Sequence, residues 1–338
     1  MKAKGAALAI WFLMGLHLLV VFAGFFAPYS YDAQDRYQPF APPARIHFID
    51  AGGKFHWRPF IYKSVSDIEN STEYKEDQSA MFPVRLFVRG DRYSLLGMTD
   101  ATIHLFGADE PARIYLFGAD GFGRDQFSRT LYGGRVSLFA GLFAALLSGA
   151  AGLLMGGIAG YYGKVVDDVI MRLAEIFIAV PWFYLLLAIR AFLPLQIEPA
   201  TAFFLVVGVI GLVGWGRPAR LVRGVVLSAR ERNFVLAAQG FGASGVYVLR
   251  RHIFPSAVGV ILTQIALLVP LFILAEVVLS FLGLGIGEPV PSWGNMLAYA
   301  QQHLLLTARW WMLVPGLILI PVFLAYHQLL DNLHLRYN

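Results

Sequence analysis

The chain has 338 residues, of which 57% are hydrophobic and only 14% charged, with mean hydropathy +0.60. A soluble domain carries about 25% charged residues, so lipid must solvate much of this chain. It contains no cysteine, which excludes disulfides, thiolate metal sites and a cysteine nucleophile.

The formal charge is +5, and its distribution is more informative than its size. From Tyr29 to Gly123, thirteen acidic residues outnumber ten basic ones, a net of −3. From Arg217 to His252 there are seven arginines and a single acid, Glu231, a net of +6. Basic excess beside apolar segments marks the cytoplasmic side of a membrane. A nucleic-acid surface would need a solvated basic face interleaved with aromatics, so no nucleic-acid partner is expected.

A helix needs roughly 20 apolar residues to cross about 30 Å of hydrocarbon. The first candidate span runs from about Gly5 to Ala27, behind Lys2 and Lys4. It exceeds the 7–15 apolar residues usual in a cleaved signal peptide, so it reads as an uncleaved anchor. The others are Val136–Gly160, Val169–Leu193, Thr201–Gly216, Ser256–Leu282 and Trp311–Leu330, the last behind the interfacial pair Trp310 and Trp311. Six spans entering from the cytoplasm return both termini there and also place 217–252 inside, in agreement with the charge rule.

The expected fold is therefore an all-α polytopic membrane protein of six helices, with a large extracytoplasmic insertion between the first and second. Residues 1–27 form the N-terminal helix, 28–130 the extracytoplasmic region, and 131–338 a five-helix core containing a cytoplasmic loop at 217–255. Within the outer region, alternation such as Arg85-Leu86-Phe87-Val88-Arg89 reads as strand, whereas polar Ser64–Ser79 reads as a loop or short exposed helix. LFGAD at Leu105–Asp109 and again at Leu116–Asp120 is a local echo, not a repeat architecture.

Gly152, Gly156 and Gly160 recur every four residues, and Gly208, Gly211 and Gly214 every three. Such spacing lets helices approach closely in lipid, either within this chain or against another subunit. Intramembrane ionisable groups are few: His17, Arg190 and Glu276 are the main ones. Such groups are costly in lipid; Glu276 is expected to bond a neighbouring helix or to face a wet cavity. His327, Asp331 and His334 lack a second carboxylate, and no metal is expected there.

No HExxH, GxSxG or EF-hand pattern occurs. Gly163-Lys164 fails as a phosphate loop, because Ile158 stands where a glycine is required and Val165 where Ser or Thr is required. The chain is not expected to be an enzyme or to hold a cofactor; any ATP would be bound by another chain. A proton-coupled secondary transporter would show broken helices and several intramembrane carboxylates, which are missing here.

The segment Phe234–Ser244 reads as a short apolar helix ending in a glycine turn at Gly242, and a second stretch leads through His252-Ile253-Phe254-Pro255 into the fifth span. Gly242 is expected at the bend with φ > 0 or against a partner surface. Two short helices meeting at a glycine make an exposed, partly apolar knob of the kind that marks a partner site; the alternative is an amphipathic helix lying on the inner leaflet.

These residues resemble the EAA motif of permease subunits of binding-protein-dependent ABC importers. Leu236-Ala237-Ala238 stand in the EAA place, Gly242 in that of the glycine, followed by Ala243 and Ser244, and His252 through Pro255 close the motif. Leu236 departs from the nominal Glu. Phe117-Gly118-Ala119-Asp120-Gly121-Phe122-Gly123-Arg124-Asp125 with Ser128-Arg129 is similar to a motif of the second permease of dipeptide and oligopeptide systems, as are Tyr132–Leu138, Ala159–Gly163, Ala275–Gly285 and Pro291–Leu297. The resemblance covers about 115–338. It implies half of a type I importer pore in a bacterial inner membrane, paired with a second permease. Two cytoplasmic ATPases would dock on the 234–255 loop, and an extracytoplasmic binding protein would deliver di- or oligopeptides. Nickel or a peptide antibiotic is the alternative cargo within the same machinery.

Overall fold

The structure, a computed structural model, describes residues 2–66, 74–95, 97–181, 184–185, 187–188, 198–302 and 309–337. Helix α1 (Lys2–Val21) carries the first apolar run and is followed by the single turn α2 (Ala23–Phe26).

The segment expected outside departs from an all-α fold. Strands β1 (His47–Ile49), β2 (Phe55–Ser66) and β3 (Tyr74–Pro83) form an antiparallel sheet in that order, and β4 (Arg85–Leu95) pairs with β5 (Thr99–Gly107). The strand expected at Arg85–Arg89 is therefore present. The stretch at 64–79 is strand at both described ends, with Val65 opposite Lys75 and Ser66 opposite Tyr74. Its polar composition suggested a loop, but cross-strand pairing satisfies the backbone whatever the side chains are. The two LFGAD copies diverge: the first ends β5, and the second forms a turn closed by a bridge between Ala119 and Asp125.

Helix α3 (Gln126–Tyr162) starts ten residues before the predicted span. Asp125 is the reason, because its carboxylate accepts hydrogen bonds from the backbone N–H and hydroxyl of Ser128 at 2.7 and 2.6 Å. An acid capping the third residue of a helix satisfies one of its orphan donors. Helix α4 (Lys164–Ala179) covers the third expected span as far as Ala179; Arg190 lies outside the described residues. Arg172 and Glu175 form an exposed 3.0 Å ion pair on α4, so this helix carries more charge than an apolar span predicts.

Helix α5 (Pro199–Val213) opens on a proline, where the missing N–H costs nothing, and meets α6 (Gly216–Arg230) at a 42° bend around Gly214 and Trp215. The first part of the loop expected at 217–255 is thus the helix α6. Its valines and alanines at 219, 222, 226 and 229 are buried at spacings of three and four, which gives one apolar stripe. After α6 come α7 (Asn233–Gly240), α8 (Gly245–Val248), a π-helical turn (Leu249–Ile253) and α9 (Phe254–Phe281). Helix α10 (Trp293–Gln302), a 3₁₀ turn (Trp310–Leu313) and α11 (Val314–Tyr337) complete the chain.

Among the described residues, three helical stretches are long and apolar enough to cross a membrane: Gln126–Tyr162, Gly245–Phe281 and Trp310–Leu333. The bent pair α5–α6 makes a fourth if counted as one span, and Gly5–Val21 is a shorter apolar helix. Residues 1–13, 138–279 and 321–338 make up one compact unit, and residues 14–137 and 280–320 make up another.

Candidate functional site

In the first unit, the knob foreseen between α6 and α9 is present, and its turn has a specific chemistry. Gly242 N–H donates to the Gln239 carbonyl at 2.9 Å, and Ala243 N–H to the Ala238 carbonyl at 3.0 Å. This paired closure of a helix C-terminus requires a left-handed residue, and Gly242 supplies it with φ +82°. Ser244 then caps α8, its hydroxyl accepting from Tyr247 N–H at 3.3 Å. The sequence expectation of φ > 0 at Gly242 is met. The expectation of a close surface is not met within this chain, because a Cβ there would meet only open space.

The knob is seated from below and apolar above. Val235, Val248, Leu249 and Ile253 are buried against Val222, Val226 and Ala229 of α6 and Ala257 and Ile261 of α9, with Ala238 and Ala243 packed at the edge. Outward face Phe234, Leu236, Phe241, Val246 and Tyr247; Phe241 is 93% exposed. Ala237 and Pro255 are also exposed, as are Arg232, Arg250 and Arg251 around the rim. His252 is half-buried between the rings of Phe234 and Tyr247, 5.9 and 5.8 Å away, and ties α7 to α8. Of the predicted site residues, Leu236 and Ala237 face out, Ala238 and Ala243 face in, and Gly242 and Ser244 shape the turn.

The glycine stripe at 152, 156 and 160 packs against α6 within this chain. A Cβ on Gly156 would stand 2.3 Å from the Ala219 carbonyl oxygen, and Cβ atoms on Gly152 and Gly160 would press on Pro218 and Val226. Helix α6 therefore lies against α3 at backbone contact. Arg230 reinforces that seat by donating to the Gly160 carbonyl at 3.2 Å, Gln239 of α7 donates to the Tyr161 hydroxyl at 3.2 Å, and Arg223 donates through Nε and Nη2 to the two carboxylate oxygens of Asp167 on α4. Ser148 donates to the Gly211 carbonyl at 2.6 Å and holds α5 to α3.

An apolar cavity of about 300 Å³ opens among α4, α5, α6 and α9, where Phe177, Val213, Leu271 and Phe272 line it and Arg217 is its charged residue. Glu276 is fully buried on α9 and does not line this cavity.

In the second unit, the segments quoted around 117–129, 132–138 and 291–297 come together. Trp293 donates its indole N–H to the Thr130 carbonyl at 3.0 Å and its backbone N–H to the Ser137 hydroxyl at 3.2 Å. Arg124 donates to Asp120 at 2.7 Å and to Glu288 at 2.7 Å, while Arg129 donates to Glu288 at 2.9 Å. Both arginines and Asp120 are buried. Burial would lower the Arg124 pKa, but Asp120 and Glu288 reverse this and leave it raised. Burial pushes Asp125 up to about 6 despite the bonds from Ser128. Glu288 is the member that sequence reasoning missed; its nearness to the Pro291–Leu297 motif was the available signal. Asp167 and Arg223 were missed because nothing local pairs them; Tyr161 was noted only as part of the Ala159–Gly163 segment.

The family model for the binding-protein-dependent transport system inner membrane component matches residues 152–338, and the model for the N-terminal TM domain of oligopeptide transport permease C matches residues 1–43. A dipeptide transport system permease protein of Bacillus subtilis is 39% identical over 231 residues, covering 68% of this chain and 67% of that protein. An oligopeptide transport system permease protein of the same organism is 38% identical over 197 residues, covering 58% and 63%. A dipeptide transport system permease protein of Alkalihalophilus pseudofirmus is 36% identical over 223 residues, covering 66% and 71%. The chain belongs to the binding-protein-dependent transport system inner membrane component family and is a membrane-embedded permease subunit.

Proposed function

We propose that this chain forms half of the translocation pore of an ATP-driven importer for di- and oligopeptides, and that it couples to two cytoplasmic ATPases through the knob at 234–255. The observation that carries this reading is the knob itself: an apolar outer face, rimmed by arginines and seated rigidly on α3 and α6. Exposed apolar area rimmed by charge suits a protein partner, and the left-handed turn at Gly242 presents α7 and α8 as one convex surface. Peptide cargo is inferred from relatives that are dipeptide and oligopeptide transport permeases.

Six spans with both termini cytoplasmic complete the proposal, with residues 28–130 outside, where a binding protein delivers the peptide to this chain and a second permease. The partner ATPases bind ATP, and this chain holds no ATPase site or cofactor of its own. When the ATPases close on ATP, the knob moves with them and the pore turns outward; hydrolysis resets it. Each state must then make different contacts, and the knob is where this chain makes them.

Uptake of labelled di- and oligopeptides by a strain lacking this chain, with and without its restoration, tests the cargo. Restored uptake of peptide is expected. Restoration that rescues nickel uptake and leaves peptide uptake absent would replace the cargo within the same machinery.

A further inference from the structure

Resting on the docking reading above, we infer that Asp167 and Arg223 are a positioning pair through which movement of the knob reaches α4 and the apolar cavity behind it. Helix α6 ends at Arg230, and α7 begins three residues later, so displacement of the knob acts first on α6. Against α3, α6 has no slack, because the glycine seam brings Ala219 to within a Cβ radius of Gly156. These two helices respond to the knob as one piece.

Helix α4 is joined differently. It follows Gly163, whose backbone is left-handed at φ +64°, and Lys164 also has positive φ at +50°. Such a connection breaks the helix between α3 and α4, so contacts with α6 help to set where α4 lies. Ala174 packs beside Trp215 and Ala219, and a Cβ on Gly216 would stand 2.9 Å from the Ala174 carbonyl oxygen, so the two helices approach closely at one point near the cavity. The Arg223–Asp167 bond adds a second point about two turns along α6, where two parallel donors on one carboxylate fix distance and orientation together. Asp167 is buried and sits in the first turn of α4, where the helix dipole favours a negative charge. A partly exposed ion pair adds little net stability, and the best-attested use of such a pair is to set register. The register set here matters because Phe177, Ile178 and Val180, at and just past the end of α4, line the cavity with Val213, Leu271 and Phe272.

The test uses the complete importer in proteoliposomes, with peptide uptake read per ATP hydrolysed. Asp167→Asn and Arg223→Gln are expected to accumulate and to retain their ATPases, yet to lose about tenfold in uptake per ATP. The double variant is expected to lose about the same, since residues acting through one contact are not additive. Unchanged uptake per ATP in either single variant, or a double loss near the product of the two, overturns the proposal. Should a neutral variant fail to accumulate, the reversed pair Asp167→Arg with Arg223→Asp carries the test: accumulation with restored transport supports the proposal, and anything less overturns it. Failure of the unaltered chain to retain ATPases would instead overturn the docking reading and leave the ion-pair geometry standing.

Discussion

Arg124 and Glu288, 164 residues apart in sequence, are joined by a hydrogen bond of 2.7 Å. Arg129 takes the other oxygen of the same carboxylate, so one glutamate on the 282–292 loop satisfies two buried guanidiniums. Removing it takes a charged partner from each, although Arg124 keeps Asp120 at 2.7 Å and Arg129 keeps the Tyr31 carbonyl at 3.2 Å. Glu288→Ala is expected to destabilise the second unit by about 2 kcal/mol. That is less than the 3–5 kcal/mol typical of a broken buried pair, because the Glu288 side chain is 45% exposed and water can partly replace it. The melting temperature of the detergent-solubilised chain reads this, and an unchanged value would mean that the loop is held by other contacts.

Asp125 predicts a pH dependence. Burial raises its pKa from 3.8 to about 6, so the folded state holds this proton more tightly than the unfolded chain does. A group of this kind contributes stability at low pH and loses it as pH rises through about 4 to 6. The full loss is about 3 kcal/mol, since each pKa unit corresponds to about 1.4 kcal/mol. Asp125→Asn keeps an oxygen to cap α3 and removes the titration. Its unfolding midpoint, measured between pH 4 and 7, should change less with pH than that of the unaltered chain. Identical slopes would exclude Asp125 as the source.

The glycine seam gives a paired prediction. Gly156→Ala places a methyl 2.3 Å from a backbone oxygen and should cost about 1–3 kcal/mol, the usual penalty for overpacking. Gly208→Ala meets nothing within 4 Å and should stay within about 1 kcal/mol of the unaltered chain, in the stabilising direction given the higher helix propensity of alanine. Thermal stability in detergent compares the two. Equal effects would show that the seam is looser than its geometry implies.

These features differ in how far the sequence revealed them. The apolar runs of α3, α9 and α11 announced themselves by length and hydropathy, because lipid solvation imposes composition directly. The start of α3 was less visible: Asp125 with Ser128 three residues on is a capping pattern, but it lies outside the apolar run that draws attention. Gly242 was readable because a left-handed turn has a narrow residue requirement. The strand pairing of 64–66 with 74–76 was not, since backbone pairing leaves little trace in exposed polar side chains. Helix α6 was hidden by its arginines, which suggested a loop although its buried stripe repeats at helical spacing. Long-range pairs such as Arg223 with Asp167 and Arg124 with Glu288 depend on how helices and loops pack, which no single segment encodes.

The docking role of the knob is the central claim, and Gly242→Asp tests it most directly. A Cβ at 242 meets open space, so the variant disturbs the interior little. Its local cost is the left-handed backbone, about 1 kcal/mol. What it adds is a carboxylate beside Phe241 and Leu236, on the apolar face where a partner would sit, and burying an unpaired charge there costs several kcal/mol. Since each 1.4 kcal/mol is tenfold in affinity, ATPase association should fall by at least tenfold while membrane abundance stays normal. The measurement is co-purification of the ATPases with the tagged chain, normalised to its abundance in the membrane. The account predicts a variant present at the unaltered level and stripped of its ATPases; a variant that is equally abundant, retains them and still imports peptide would contradict it.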